Sequence, residues 1–164
     1  MIEKWQTGPV PGFDPMLMPV VHSLLQVKAE IDDLLTRVTE EHVWARPGGA
    51  ASIGFHLLHI GGSSARLLTY ARGERLSPEQ LADARSEATL TLPKEALAAR
   101  VHAALDAAIE QVRHTPVSTL LEPRAVGRAG LPSTVIGLLF HVAEHATRHA
   151  GQALTTALVQ GVGR

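Results

Sequence analysis

The sequence predicts an all-α protein built as a four-helix bundle, and three observations carry that expectation. Prolines and glycines cut the chain into four long segments whose apolar residues recur at three- and four-residue spacing. No run alternates polar and apolar residues for long enough to read as a strand. The 164 residues are 45% hydrophobic and include no cysteine, so one core has to form without disulfides, which a chain of this length can do. The expectation is a single domain over residues 1–164, with the bundle over about 14–160.

The first helix is expected from about Asp14, an N-cap ahead of Pro15, to about Val38. "ARPGGAA" then leads to a second helix that opens near Ser52 and stops at Gly73, a C-cap glycine. Its Gly61-Gly62 pair costs about 1 kcal/mol per residue relative to alanine, which points to close helix packing or a nearby ligand. In the following linker, "ERLSPEQLADARSEATLTL", Ser77-Pro78 signals a short extra helix. The third helix begins at Pro93 and is rich in alanine and leucine, which gives it the best intrinsic helix propensity of the four. After "TPVSTLLEPRAVGRAGL" the fourth is expected to open at Pro132 and run to about Gln160.

Composition excludes several functions. A formal net charge of −1, with no long Lys/Arg run, does not provide the basic surface that tracks phosphates, so nucleic acid is not an expected partner. No window reaches 18 uninterrupted apolar residues and the N-terminus lacks a basic-then-apolar leader, so the expectation is no membrane span and a cytoplasmic protein. Without cysteine there is no protein thiol nucleophile, and thiol chemistry would need an outside thiol. Ser63 and Ser64 have no evident base partner.

The chemistry concentrates in histidines. "FHVAEHATRHAGQ" carries His141, His145 and His149 at intervals of four. On a helix, residues i and i+4 share a face and can reach one ion, whereas i and i+8 stand about 12 Å apart along the axis. Two of the three can therefore act together. A wheel over residues 133–157 builds an apolar face from Val135, Leu139, Val142, Ala146, Ala150, Ala153 and Ala157, opposite Glu144, Arg148 and Thr155. His149 borders that face, His145 lies one step round and His141 falls to the polar side, which favours His145 and His149 as the inward pair. The bland alternative is a set of flank histidines satisfied by water or a carbonyl. "HVAEH" also has the H-x-x-E-H form of inverted zinc proteases, but no Asp or Glu follows Glu144 to complete such a site.

A third ligand has to come from elsewhere, and "FHLLHI" on the second helix offers His56 and His59. The apolar residues Ile53, Leu57, Ile60, Leu68 and Ala71 cluster on one side of that wheel, with His56 about 70° and His59 about 130° from their centre. Periodicity alone mildly prefers His56. His22, His42, His102 and His114 stand singly and are expected to be structural or solvated.

The linker "WARPGG" leading into "SIGFHLLHI", followed far downstream by "HVAEHATRHAGQ", resembles the DinB/YfiT-like family of metalloenzymes on a four-helix bundle, over roughly residues 14–160. That resemblance implies one ligand on the second helix and two from H-x-x-x-H before Gly-Gln on the fourth, which fall on His59, His145 and His149. It disagrees with the wheel over His56, and the family assignment is the one adopted. The departures are Ala50-Ala51, where a Trp often precedes the serine, and Ala150, where the family often has Arg.

Three neutral imidazoles suit a divalent transition metal, zinc or nickel first and iron or copper next. The resemblance implies a transferase or isomerase that uses a small cellular thiol such as bacillithiol or mycothiol, and a homodimer. The alternative is a dimerising, non-catalytic module that binds a metal or ligand. Arg66, Arg72 and Arg148 are candidate cations for recognising the thiol, with solvent as the competing place for each.

Overall fold

The four long segments fold as four long helices, each with an apolar stripe, and the second and fourth also start on a side-chain cap. The structure is a computed structural model that describes residues 2–163. A short 3₁₀ turn capped by Asp14 leads into α1, Met18–Arg37, whose last turn is closed by Lys94 Nζ donating to the carbonyls of Leu35 and Val38. The second long helix, α3, spans Ile53–Ala71, with the Ser52 hydroxyl accepting from Phe55 N as N-cap. The third, α5, covers Lys94–His114 and the fourth, α6, covers Val135–Val159. The expected extra helix is α4, Pro78–Ser86, closed by a Ser77–Gln80 capping box.

Helices α1 and α3 each pack against both α5 and α6. The enclosed core takes in the apolar face expected for the last helix, from Val135 to Ala157, and that expected for α3, from Ile53 to Ala71. Among the described residues no helix is long and apolar enough to cross a membrane.

Three details differ from expectation. The first is α2, Glu40–Trp44, a single turn capped by Thr39 and too short to show a period. Its Trp44 ring lies flat on α3 at Gly54, where an added Cβ would overlap the ring, while Trp44 Nε1 donates to the Leu92 carbonyl at 3.0 Å. Gly54→Ala is therefore expected to destabilise the fold by about 1–3 kcal/mol despite alanine's better helix propensity, since the ring has a fixed partner and little room to yield. Chemical denaturation checks it, and an unchanged midpoint would refute the packing argument.

The second and third differences lie in the linker before α6. Pro123–Val126 and Leu131–Thr134 pair as antiparallel strands β1 and β2, in register from Pro123 opposite Thr134 to Val126 opposite Leu131. Four-residue strands carrying prolines give no alternation to detect, and proline is tolerated where a ribbon has no further neighbour. The turn signal was present in Gly127 and Gly130, which both take positive φ. Pro132 therefore lies in β2 and does not open the last helix. The helix starts at Val135 because Thr134 caps it and the carbonyls of Glu122 and Leu120 accept from Val135 N and Ile136 N, satisfying amides that a helix start leaves free.

Candidate metal centre

Helices α3 and α6 face each other with their histidines in opposing order. His56 Nδ1 stands 3.0 Å from His149 Nδ1, and one turn along α3 His59 Nε2 stands 3.0 Å from His145 Nε2. That pairing makes the two helices antiparallel across the site. The His59, His145 and His149 rings form a closed triangle, with centroid separations of 5.0, 4.6 and 4.5 Å. One nitrogen from each of these three lies within 4.8 Å of the others. His141 is exposed and bonds Glu144, as the wheel placed it. His141, Glu144 and His145 also converge, but Glu144 is already engaged by both His141 and Arg148.

The wheel and the family resemblance each described part of the α3 pair. His56 is the more buried, at 7% exposure, as periodicity suggested. His59 is the one whose nitrogen meets both α6 imidazoles, because it projects along the seam between the helices and not into the apolar centre. His56 remains as a fourth imidazole against His149 alone.

Behind His59 stands a carboxylate that sequence reasoning missed. Glu87 caps the C-terminal end of α4 and is 8% exposed, and its Oε2 accepts from His59 Nδ1 at 2.7 Å. Arg66 donates to the same carboxylate from about two turns further along α3. Burial acts to raise the Glu87 pKa, but the hydrogen bonds from His59 and Arg66 outweigh it and hold the carboxyl below its ordinary value. Nothing in the surrounding linker distinguishes Glu87 from an ordinary surface glutamate, but its partner on α3 did leave a trace. Gly62 is the residue against which the Glu87 carboxyl lies, and an added Cβ would overlap Oε1. Gly61 lies 3.3 Å, by its built Cβ, from Ala104 of α5. The glycine pair thus has two causes, helix packing at Gly61 and room for the carboxylate at Gly62.

The remaining candidates are occupied otherwise. Ser63 Oγ donates back to the carbonyls of His59 and Ile60, as helical serines do. Arg72 pairs with Glu74 and Arg148 with Glu144, while Arg66 is bound to Glu87 and not in solvent. The four lone histidines hold structural or surface places, such as His22 against the Gly8 carbonyl and His102 beside Asp32.

The donor set fits a transition metal. When His59 Nδ1 donates to Glu87, its Nε2 is the acceptor nitrogen, 3.0 Å from His145 Nε2, where a cation between the two rings would find a lone pair on each. In a tetrahedral zinc site, nitrogens at 2.0–2.1 Å from the ion stand about 3.3 Å apart, close to the 3.0 Å between His59 and His145, and the third nitrogen lies within 4.8 Å of both. The His56, His145 and His149 imidazoles are also pushed towards the neutral form, the one that binds metal. Burial, followed by the repulsion of His59 and then of His145 and His56, lowers His149 to about 4. Burial and then His59 likewise lower His145 and His56.

A histidine whose folded pKa is depressed stabilises the fold above its unfolded value of 6.5, and that contribution is lost as pH falls through the interval down to about 4. Metal-free protein is therefore expected to lose thermal stability between about pH 6.5 and 4, from His149 foremost. Melting curves across that range check it, and a flat profile would contradict the burial of these imidazoles.

Beside the centre a cleft of about 250 Å³ is lined by Arg46, Ala51, Ser52, Phe55 and Ala88. The Phe55 ring separates it from the site and stacks on His59, with centroids 5.5 Å apart and planes within 9°. Arg46 Nε donates to the Ala50 carbonyl. Ala51, next to the capping Ser52, forms part of the cleft wall.

Comparison with protein families matches the chain over residues 23–153 to the family described as DinB superfamily. No curated protein matches it.

Proposed function

The chain belongs to the DinB superfamily, and on that footing we propose that it is a divalent-metal-dependent enzyme on a four-helix bundle whose metal ligands are His59, His145 and His149. The observation that carries the reading is the convergence of three imidazole nitrogens with His59 oriented from behind by Glu87. A divalent ion, zinc or nickel in first place, supplies there the positive charge that favours the thiolate form of a small thiol or polarises an electrophile. The chain's own residues do the rest. Glu87 fixes the His59 tautomer, Arg66 keeps Glu87 ionised, and Phe55 shields one side of the imidazoles. The 250 Å³ cleft, with Arg46 at its wall and the Phe55 ring between it and His59, holds the body of a small substrate whose reacting end reaches past Phe55 to the centre. The resemblance to the family suggests a transferase or isomerase that uses a small thiol, and because the chain has no cysteine that thiol comes from outside. We place the enzyme in the cytoplasm as a single domain acting as a homodimer, for which light scattering should return twice 17.5 kDa.

A second reading follows from His56. If His56 closes the coordination sphere through its contact with His149, the centre is sealed and the protein is a metal-binding module without turnover. Metal-loaded and metal-stripped protein, screened with bacillithiol, mycothiol, glutathione and coenzyme A against epoxide, chloro-aromatic and maleyl electrophiles, separates the two. A rate above the stripped control that survives His56→Ala supports the enzyme. No rate for any pair, with metal still retained, favours the module.

A further inference from the structure

A second cleft, of about 570 Å³, opens away from the histidines and is lined by Tyr70, Arg75, Leu76, Leu81, Arg85, Gly127 and Arg128. Four parts of the chain meet there: the last turns of α3, the segment leading to α4, α4 itself and the turn of the β-hairpin. Tyr70 follows His59 by eleven residues on the same helix, about 16 Å along its axis, so this cleft is separate from the metal centre. Three guanidiniums line it and no carboxylate does. Among the described residues, the side chains of Arg75, Arg85 and Arg128 make no hydrogen bond or ion pair. The neighbouring acids are committed elsewhere, Glu74 to Arg72, Asp83 to Arg100 and Glu122 to Arg124. Those last pairs also fix the walls. Arg124 Nε donates to the Ala71 carbonyl at 2.8 Å, tying the hairpin to the end of α3, and Asp83 holds α4 to α5.

Three like charges drawn to one concavity repel unless an anion joins them. The apolar part of the cleft is equally unsatisfied, since Leu81 is 45% exposed there and Leu76 and the Tyr70 ring stand beside it. Its volume falls within the roughly 300–1,000 Å³ of small-molecule sites. We propose that this cleft binds an organic phosphate, a phosphate monoester carried on an aromatic or similarly apolar body. The phosphate dianion is bound by Arg75, Arg85 and Arg128, and the body rests on Leu81, Leu76 and Tyr70. Phosphate matches the site better than a carboxylate because one carboxylate cannot engage three guanidinium forks.

The proposal stands independently of the metal-centre reading, and calorimetry on the full metal-loaded chain tests it with phenyl phosphate, inorganic phosphate, benzoate and benzyl alcohol. Phenyl phosphate is expected to bind about tenfold more tightly than inorganic phosphate through burial of its ring. It should also exceed benzoate, while benzyl alcohol shows no binding. Replacing Arg75, Arg85 and Arg128 together by Gln should weaken phenyl phosphate by roughly a hundredfold, with metal content unchanged. Leu81→Gln should remove the preference over inorganic phosphate. All four positions are exposed, so the variants are expected to fold, and an unshifted melting curve verifies it. Equal binding of phenyl phosphate and inorganic phosphate, tighter benzoate, or unaltered binding to the triple variant would each overturn the assignment.

Discussion

Changing His145 or His149 to Ala is expected to weaken metal retention by roughly tenfold or more, while His141→Ala leaves it nearly unchanged. Each of the first two supplies one of the three nitrogens that lie within 4.8 Å of one another, and removing one leaves two imidazoles with no replacement donor of the same geometry. His141 bonds Glu144 on the exposed side of α6 and lies outside that triangle. His59→Ala is expected to abolish any metal-dependent turnover as well, since His59 is the residue α3 contributes to the triangle of converging nitrogens. Equilibrium dialysis against a competing chelator measures retention for each variant. Greater damage from His141→Ala than from His149→Ala would show the centre to be the alternative group of His141, Glu144 and His145.

The second large effect lies behind the ligands. Glu87→Gln is expected to weaken metal binding by about tenfold and Glu87→Ala by up to about a hundredfold, because carboxylate partners of metal-bound imidazoles set both tautomer and basicity. Gly62→Ala should act in the same direction without touching any ligand, since its Cβ would occupy the space of Glu87 Oε1. Two terms compete in that variant's stability: alanine gains about 1 kcal/mol of helix propensity, and the displaced Glu87–Arg66 pair loses its geometry. Metal affinity has no such compensation, so it is the decisive readout. A Gly62→Ala protein that is more stable and binds metal as before would refute the role given to the glycine.

How far the site was legible follows from what each residue depends on. The apolar faces of α3 and α6 could be read because burial on a helix repeats with its own period, and the expected faces are buried. His145 and His149 could be paired because i,i+4 neighbours share a face and the wheel turns that pair, and not His141, towards the core. The choice between His56 and His59 could not be made that way. A wheel measures depth in the core, whereas convergence depends on how α3 lies against α6, and the more buried histidine is the one with the single contact. Glu87 was beyond reach for a related reason. It arrives from a linker 28 residues from His59, and only the glycine that receives it is marked in the sequence. Helix α2 and the β-hairpin were missed because each is shorter than the span over which a period can be detected.

The central claim, that the chain holds a metal through three histidines, is tested most directly by elemental analysis of protein purified without a histidine tag. The account predicts close to one divalent transition metal per chain. Near-zero metal after exposure to both zinc and nickel, in protein that melts cooperatively and is therefore folded, would contradict it.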